Sequence, residues 1–440
     1  MIAVAVRPPA QQKSARAFET MSILDLKYKA VRSMTRSLTE NLSAEDQMVQ
    51  SCPEASPVKW HQAHTTWFFE TFVLRPFLAG YKPFREEFYQ LFNGYTSSPG
   101  EELPWRNLRA SFSRPSLNEI LGFRAHVDRE MGRLFARCVD AQVSRRIMLG
   151  LNHEQQHQEL MLTGIKHAFF SNPLHPSYGE ASLGNELSGT TPTLAWHSVQ
   201  GGMVEIGRAL NGEDPLDFCF DKETPRHRVY LEPFSIANRE ITCREYLEFM
   251  SDDAYMRPEL WLSDGWDAIR QASWEAPMYW DRDSDDETGW RVFTLKGWHG
   301  LSILLDTPVC HISFFEADAF ARWRGCRLPT EVEWESVATH ESCTGNLLDA
   351  GQLHPTAAAG ESIQQFFGDC WEWTASACMS YTGYKPLPGA LAEYDKRFLP
   401  GQMVLRGGSC VTPADHVRAT YRKFFKPGTR WQFTGIRLAV

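Results

Sequence analysis

The sequence predicts an α+β protein with two domains, a four-helix bundle followed by a loop-rich domain. Helical periodicity dominates the first third of the chain, and a segment rich in Pro, Gly, Ser and Thr follows it at 173–195. Beyond this linker the periodicity fades into short apolar runs separated by Gly, Pro and Asp. A chain of 440 residues also exceeds the size of one ordinary domain.

Four helical patterns predict the bundle, over residues 20–172. Apolar residues recur at spacings of three and four, as in Ile23, Leu26 and Ala30. The patterns cover 23–42, 57–78, 116–138 and 144–170. The third begins with Ser116 and has Glu119 three residues later, the arrangement of a capping box. Four long helices with longer connections are typical of a four-helix bundle.

The second predicted domain, 196–440, has a different sequence pattern. Short apolar or alternating runs at 203–206 and 228–231 indicate strands, and brief helices are expected at 243–250, 314–324 and 330–338. Trp and Gly are frequent between these elements. We therefore expect an irregular α+β domain built largely from loops.

Composition excludes several classes of protein. The net charge is −9 and no Lys/Arg-rich run occurs, so a nucleic-acid partner is not expected. The first residues lack the apolar core of a signal peptide, and no stretch approaches the roughly 18 apolar residues of a membrane helix. The ten cysteines contain no CxxC pair. These features predict a soluble, reduced, cytoplasmic protein without a membrane partner.

The segment LNHEQQHQEL, 151–160, lies within the fourth predicted helix. At 3.6 residues per turn, His153 and His157 lie on one face, where two imidazoles can reach one metal ion. Glu159 points roughly to the opposite side, so a third ligand is expected from another helix. The segment KWHQAHTTWFFE, 59–70, offers His61 and His64. Three histidines leave positions on the metal open, as both oxygen chemistry and hydrolysis require.

The same letters also spell H-E-x-x-H, the motif of zinc peptidases. In that interpretation His153 and His157 bind zinc, and Glu154 is the general base. The downstream Gly and His of one such class are absent, and a further carboxylate would have to come from the Pro/Gly-rich linker. A zinc hydrolase therefore stays open as an alternative function.

Two stretches of the first domain resemble the DinB-like bundle of ergothioneine-biosynthesis sulfoxide synthases. They are ASPVKWHQAHTTWFFETFVL and LNHEQQHQELMLTGIKHAFF. The second domain resembles the sulfatase-modifying-factor fold of formylglycine-generating enzymes, a relative of C-type lectins. The resembling runs include VQGGMVEIG, PVCHISFFEADAFARWRGCRLPTEVEWE, GDCWEWT and VLRGGSC. Each domain alone occurs in proteins with many functions, but a bundle followed by a lectin-like domain is characteristic of this family.

This resemblance implies a reaction and a metal. The cofactor would be Fe(II), with His64, His153 and His157 as ligands, and Gln156 would face the imidazole of the substrate. The substrates would be hercynine (N-α-trimethylhistidine), O₂ and a cysteine-type thiol, either cysteine or γ-glutamylcysteine. The product would be a sulfoxide with a new C–S bond. Besides the zinc hydrolase, a lectin-like binding protein without catalysis is a further alternative from a different class.

The resemblance also implies substrate-binding residues. Arg106 and Arg109 stand where some relatives place arginines that bind the thiol donor, and bidentate arginine suits a carboxylate. The run TYRKFFKPGTRWQFTGIRL resembles the substrate-binding end of the family. It makes Lys423, Phe424 and Phe425 candidates, and aromatic walls suit a quaternary ammonium group.

The expected tyrosines are only partly kept. One branch of the family has a Tyr-x-x-Tyr pair before RGGS, where this chain reads Leu391 and Tyr394; we expect Tyr394 to bind substrate. Another branch has two adjacent tyrosines, where FNGYTSS keeps Tyr95, our expected catalytic residue, followed by Thr96. Gly164 replaces a common Asp. These departures leave the donor open, so a selenoneine synthase with a selenium donor and an ovothiol-type synthase remain alternatives.

Overall fold

A computed structural model describes residues 10–94, 106–137, 140–179, 191–209, 214–360, 362–385 and 401–440, with the side chains of 10–18 and 106–107 left undescribed. The chain divides into two compact units. One comprises Met1–Gly164 with Asn211–Phe218, and the other Ile165–Leu210 with Cys219–Val440. The predicted α+β class is confirmed, while the predicted domain limits stay predictions.

The first unit is helical. Its helices are α1 (Ala10–Ser37), α2 (Val58–Phe69), α3 (Arg75–Phe77), α4 (Phe88–Leu91), α5 (Leu117–Phe135) and α6 (Ala141–Ser171). A π-helical turn, Glu70–Leu74, connects α2 to α3. The division between the two units falls near the end of α6, between Gly164 and Ile165. The four long predicted helices correspond to α1, to α2 with its continuation, to α5 and to α6.

Helix α5 begins where the sequence predicts. The Ser116 hydroxyl accepts from the backbone N–H of Glu119, and the Glu119 carboxylate accepts from the backbone N–H of Ser116 at 2.9 Å. This reciprocal capping satisfies two donors that the first helical turn leaves without partners. Ile120, Phe123 and Val127, at spacings of three and four, form its buried face.

The second unit combines short strands with brief helices. The strands are β1 (Trp196–Val199), β2 (Gly202–Ile206), β3 (His227–Leu231), β4 (Phe234–Ala237), β5 (Trp280–Arg282), β6 (Trp290–Thr294), β7 (Gly297–Gly300), β8 (Trp371–Ala377), β9 (Met403–Arg406), β10 (Lys423–Phe425) and β11 (Thr434–Gly435). The helices are α7 (Cys243–Ser251), α8 (Ser263–Ala272), α9 (Phe314–Trp323) and α10 (Glu331–Ala338). The sequence predicts β2, β3, α7, α9 and α10, but not α8 or the other strands.

Four small sheets organise these strands. Antiparallel pairs form between β1 and β4 and between β2 and β3, and β5, β6 and β7 form an antiparallel meander. The largest sheet has the order β10-β9-β8-β11, in which β8 and β11 run parallel. Because these strands are so short, most of the backbone in this unit lies in loops.

Buried ion pairs connect the loops of the second unit. Arg437 pairs with Glu372 at 2.7 Å, Arg422 pairs with Glu331 at 2.8 Å, and Arg406 pairs with Glu335. Several of these arginines also donate to backbone carbonyls, as Arg437 does to Ala237 at 2.9 Å. These additional arginine N–H groups satisfy backbone carbonyls. No helix in the part of the chain that the structure describes is long and apolar enough to cross a bilayer.

Candidate metal centre

Three buried imidazoles converge in the first unit. His64 comes from α2, and His153 and His157 come from α6; one ring nitrogen of each lies within 4.8 Å of the others. The Nε2 atoms of His153 and His157 are 3.1 Å apart. Adjacent nitrogen ligands of an ion bound at about 2.1 Å are roughly 3.0–3.4 Å apart. Among the described residues, this is the only His/Cys/Asp/Glu trio close enough to hold a metal.

Burial keeps two of these imidazoles, those of His153 and His157, neutral. It lowers the pKa of His153 to about 3, with a smaller contribution from His61, and it lowers the pKa of His157 well below its usual value. Neutral imidazole is the form that binds a metal ion. The donor set therefore fits the predicted Fe(II), and it also suits other divalent metals that favour imidazole, including zinc.

Backbone groups on the loop after α4 define the orientation of His64. Its Nδ1 lies 2.7 Å from the carbonyl oxygen of Phe92, so the Nδ1–H donates there and Nε2 is left as the ligand atom. Gly94 lies against the same ring: a Cβ at this position would be 2.6 Å from Cε1 of His64. A side chain at position 94 would therefore displace the imidazole.

Aromatic side chains pack beside His64 on α2. The rings of Trp60 and His64 stack with centroids 4.5 Å apart and planes 11° apart, and the Trp67 ring lies near-parallel to His64 at 5.5 Å. The guanidinium of Arg109 lies 3.5 Å from the Trp60 centroid. Its Nη1 also donates to the Ser56 hydroxyl at 2.7 Å. These contacts connect the predicted donor-binding Arg109 to the imidazole cluster.

Glu154 is not available as the general base of a zinc hydrolase. It is 0% exposed, and both carboxylate oxygens accept hydrogen bonds from other helices. Arg32 donates to Oε2 at 2.9 Å, while Arg124 and Thr35 donate to Oε1 at 3.1 and 2.7 Å. The charges of Arg32 and Arg124 outweigh burial and lower the pKa of Glu154. The carboxylate thus serves the packing of α1, α5 and α6, which contradicts the peptidase interpretation of H-E-x-x-H.

A cleft borders the Arg109–Trp60 pair. Of its nine lining residues, three are cationic, Lys59, Arg109 and Arg114, and the other six are apolar or aromatic. The three cations favour an anionic ligand. Lys59 is itself held by the carbonyl of Pro115 at 2.8 Å.

Comparison with known proteins agrees with this architecture. Residues 27–169 match the DinB superfamily, and residues 187–356 and 352–440 match the sulfatase-modifying factor enzyme 1-like domain. The chain is 31% identical to the hercynine oxygenase of Mycolicibacterium smegmatis over 324 residues, which are 67% of this chain and 71% of that protein. It is 33% identical to the hercynine oxygenase of Mycolicibacterium thermoresistibile over 321 residues, 66% and 67% of the two chains. The chain belongs to the hercynine oxygenase family.

A further relative of this hercynine oxygenase family member matches a smaller part of the chain. It is ergothioneine biosynthesis protein 1 of Schizosaccharomyces pombe, which is 29% identical over 240 residues. The match covers 52% of this chain and 28% of the yeast protein.

The other described site residues that the sequence predicts in this family member lie on helix α6 and strand β10. Gln156 is half-buried on α6, next to His157. Lys423, Phe424 and Phe425 form β10 in the second unit. Lys423 is buried with its Nζ 5.1 Å from the Trp371 centroid, and the Phe424 ring lies 5.2 Å from Nζ of Lys222.

Three predicted residues are not described at the level of their side chains. Arg106 opens a 3₁₀ turn, Arg106–Ser111, but its side chain lies outside the described residues. Tyr95 and Tyr394 lie outside the described residues altogether. The functional role of every site residue, the three histidines included, stays a prediction.

Sequence reasoning did not identify the residues that support the imidazoles. Trp60 precedes His64 by four residues, so their shared helix face was readable from spacing alone. Ser56 carries no such signal, because its contact with Arg109 spans 53 positions. The same holds for Arg32, which meets Glu154 across 122 positions.

Proposed function

We propose that this chain is an Fe(II)- and O₂-dependent sulfoxide synthase of ergothioneine biosynthesis. In the proposed reaction the C–H bond of the hercynine imidazole and the S–H bond of cysteine or γ-glutamylcysteine break, and a C–S bond forms. One oxygen atom of O₂ enters the sulfoxide, and the other leaves as water with the two hydrogens. The names of the relatives, hercynine oxygenase and ergothioneine biosynthesis protein 1, support this pathway.

One observation carries the proposal: three buried imidazoles converge while the neighbouring Glu154 is held in ion pairs. His64, His153 and His157 would hold the metal and leave room for substrates. Fe(II), when bound, supplies redox chemistry with oxygen and lowers the pKa of a thiol that binds to it. Without a free carboxylate at position 154, hydrolysis has no base in this motif.

The chain's own residues have proposed tasks around the metal. Gln156, next to His157, would hydrogen-bond the imidazole of hercynine. Arg109, with Arg106, would bind the carboxylate of the thiol donor, and the cationic lining of the adjacent cleft supports this role. Tyr95 is the proposed proton donor.

Further proposed substrate-binding residues follow from the family resemblance. Phe424 and Phe425 would offer aromatic faces to the quaternary ammonium group of hercynine. Lys423 would meet a substrate carboxylate by charge, and Tyr394 completes the proposed set. These assignments follow the family and are separate from the metal proposal.

Oxygen uptake by protein loaded anaerobically with Fe(II) tests the function. We expect uptake only when hercynine and a thiol are both present. The product should have the summed mass of the two substrates plus one oxygen atom and minus two hydrogens. A His64→Ala variant should lose uptake, whereas His126→Gln, on the surface of α5, should keep it.

The same assay identifies the donor. Cysteine, γ-glutamylcysteine and a selenium donor are compared at equal concentration, and the donor with the largest kcat/KM is assigned. Protein that holds stoichiometric Fe(II) but consumes no oxygen with any of these donors would overturn the proposed function.

A further inference from the structure

A fourth histidine adjoins the cluster without belonging to the ligand set. His61 lies on α2, three residues before His64, and is buried. Its Nδ1 is 2.6 Å from Nδ1 of His157. The other nitrogen of His157, Nε2, is the one that lies 3.1 Å from Nε2 of His153. His157 therefore presents one nitrogen to the cluster and the opposite nitrogen to His61.

This geometry specifies where the protons are. A neutral imidazole carries one proton, so a ring that offers the lone pair of Nε2 to a metal carries its proton on Nδ1. In His157 that Nδ1–H points at Nδ1 of His61, which must then accept. His61 consequently carries its own proton on Nε2. The backbone of Ser56 provides a hydrogen-bond partner for the His61 ring.

The two Nδ1 atoms are too close for both to carry a proton, so one donates and the other accepts. With Nε2 of His157 facing the cluster, the donor is the Nδ1–H of His157 and the acceptor is the lone pair on Nδ1 of His61.

We propose that His61 is a positioning residue for the metal centre, which holds His157 in the tautomer and orientation that present Nε2 to the ion. The inference rests on the metal binding in the proposed function, but not on its substrates. An acceptor on the far nitrogen fixes the tautomer of a metal-binding histidine and raises its basicity. The Phe92 carbonyl makes the equivalent contact with His64.

Ser56 contacts both Arg109 and His61. Its hydroxyl accepts from Nη1 of Arg109 at 2.7 Å, while its backbone hydrogen-bonds to His61. The ring of Trp60 stacks on His64 and also contacts the Arg109 guanidinium. Ser56 thus lies next to both the proposed donor-binding arginine and the residue that supports His157.

Two substitutions separate hydrogen bonding from packing. His61→Gln keeps an acceptor oxygen, whereas His61→Phe keeps an aromatic ring and removes the acceptor. His126→Gln is the matched control, because His126 lies on α5 and contacts the Lys82 carbonyl rather than the cluster. Fe(II) affinity is measured anaerobically by competition with a chelator, and the electronic absorption of Co(II)-substituted protein reports the ligand field.

We expect His61→Phe to weaken Fe(II) binding by about 10- to 100-fold and to shift the Co(II) absorption bands. His61→Gln should retain most of the affinity, and the control should match wild type. Thermal unfolding of the metal-free variants shows whether each is folded. A folded His61→Phe protein that binds Fe(II) as tightly as His61→Gln, with unshifted Co(II) bands, would overturn the positioning role.

The outcomes for the two proposals are distinct. Wild-type protein that binds Fe(II) and shows the expected ranking of variants, yet consumes no oxygen, supports the role of His61 and contradicts the proposed reaction. Wild-type protein that binds neither Fe(II) nor Co(II) overturns both.

Discussion

Two of the three proposed metal ligands are oriented by an atom outside the ligand set. His64 is held through Nδ1 by the Phe92 carbonyl, and His157 is held through Nδ1 by His61. Orientation of this kind decides which nitrogen can bind a metal, because the proton occupies the other one. At the scale of residues, metal binding is therefore expected to depend on these neighbouring groups as well as on the ligands.

Gly94→Ala tests that sensitivity. The added Cβ would lie 2.6 Å from Cε1 of His64, closer than van der Waals contact permits, so the ring must move. We expect Fe(II) affinity to fall at least tenfold and the metal-free protein to lose about 1–3 kcal/mol of unfolding free energy.

Gly132→Ala is the matched control, because a Cβ at that position on α5 meets nothing within 4 Å. Replacing a glycine inside a helix by alanine stabilises by about 0.5–1 kcal/mol. The control should keep its metal affinity and gain a little stability. Equal metal binding by both variants would contradict the close packing of Gly94 on His64.

His416 in the second unit provides a test based on pH. Burial, then the charges of Arg418, Lys423 and Lys222, lower its pKa well below the usual value. Between its folded and unfolded pKa values the unfolded chain binds the extra proton, so the buried histidine destabilises the protein as pH falls below about 6.5. Above that pH the effect is absent.

His416→Phe removes this titration and keeps an aromatic ring beside Phe220 and Tyr421. Between pH 7.5 and pH 5 we expect the unfolding free energy of the variant to rise by about 2 kcal/mol relative to wild type. All other titrations are common to both proteins and cancel in the difference. Urea unfolding at the two pH values measures it, and a difference that does not change with pH would contradict the prediction.

At the scale of elements, one buried carboxylate connects the long helices of the first unit. Glu154 on α6 is paired with Arg32 on α1 and Arg124 on α5. Arg32 also donates to Thr66 on α2 at 3.1 Å, and Arg124 donates to the Gln62 carbonyl at 3.1 Å. These bonds fix the relative positions of four helices around the segment of α6 that carries His153 and His157.

Glu154→Gln should therefore destabilise the protein by about 3–5 kcal/mol, because two buried arginines lose their shared anion. Asp25→Asn is the control, since its partner Lys29 is largely exposed and an i,i+4 pair of this kind contributes only about 0.5 kcal/mol. Urea unfolding of the metal-free proteins measures both. A Glu154→Gln protein as stable as Asp25→Asn would contradict the structural role.

This role changes what an activity measurement on Glu154→Gln can mean. A loss of activity would follow from unfolding as well as from loss of a base. The variant distinguishes a synthase from a hydrolase only under conditions in which it remains folded, which the unfolding curve defines.

At the scale of the whole molecule, the proposed metal links chemistry to stability. The imidazoles and the residues that orient them lie in the first unit, and the unfolded chain offers no preformed trio. Fe(II) at about 1,000 times its dissociation constant should raise the unfolding free energy by about 4 kcal/mol. A chelator should reverse the gain, and a His153→Ala variant should show almost none. Unfolding that is identical with and without Fe(II) would contradict the metal site.

The sequence by itself determined the features that depend on local geometry. Periodicity of three and four predicted α1, α2, α5 and α6, and the Ser116 capping box marked the start of α5. The i, i+4 spacing placed His153 and His157 on one face of α6. Strands β2 and β3 were visible because apolar residues alternate along them. Helix α8 was not predicted; it contains Gly265, which lies close to the Phe315 side chain.

Only the tertiary structure decided what the histidines and the glutamate do. The letters H-E-x-x-H are the same for a zinc peptidase and for this site. Glu154 was excluded as a base by Arg32 and Arg124, which lie 122 and 30 positions away. The contact between His61 and His157 spans 96 positions. Helical periodicity specifies which residues share a face, but the partner of a buried polar group depends on which other helix packs there, and long-range packing alone determines that.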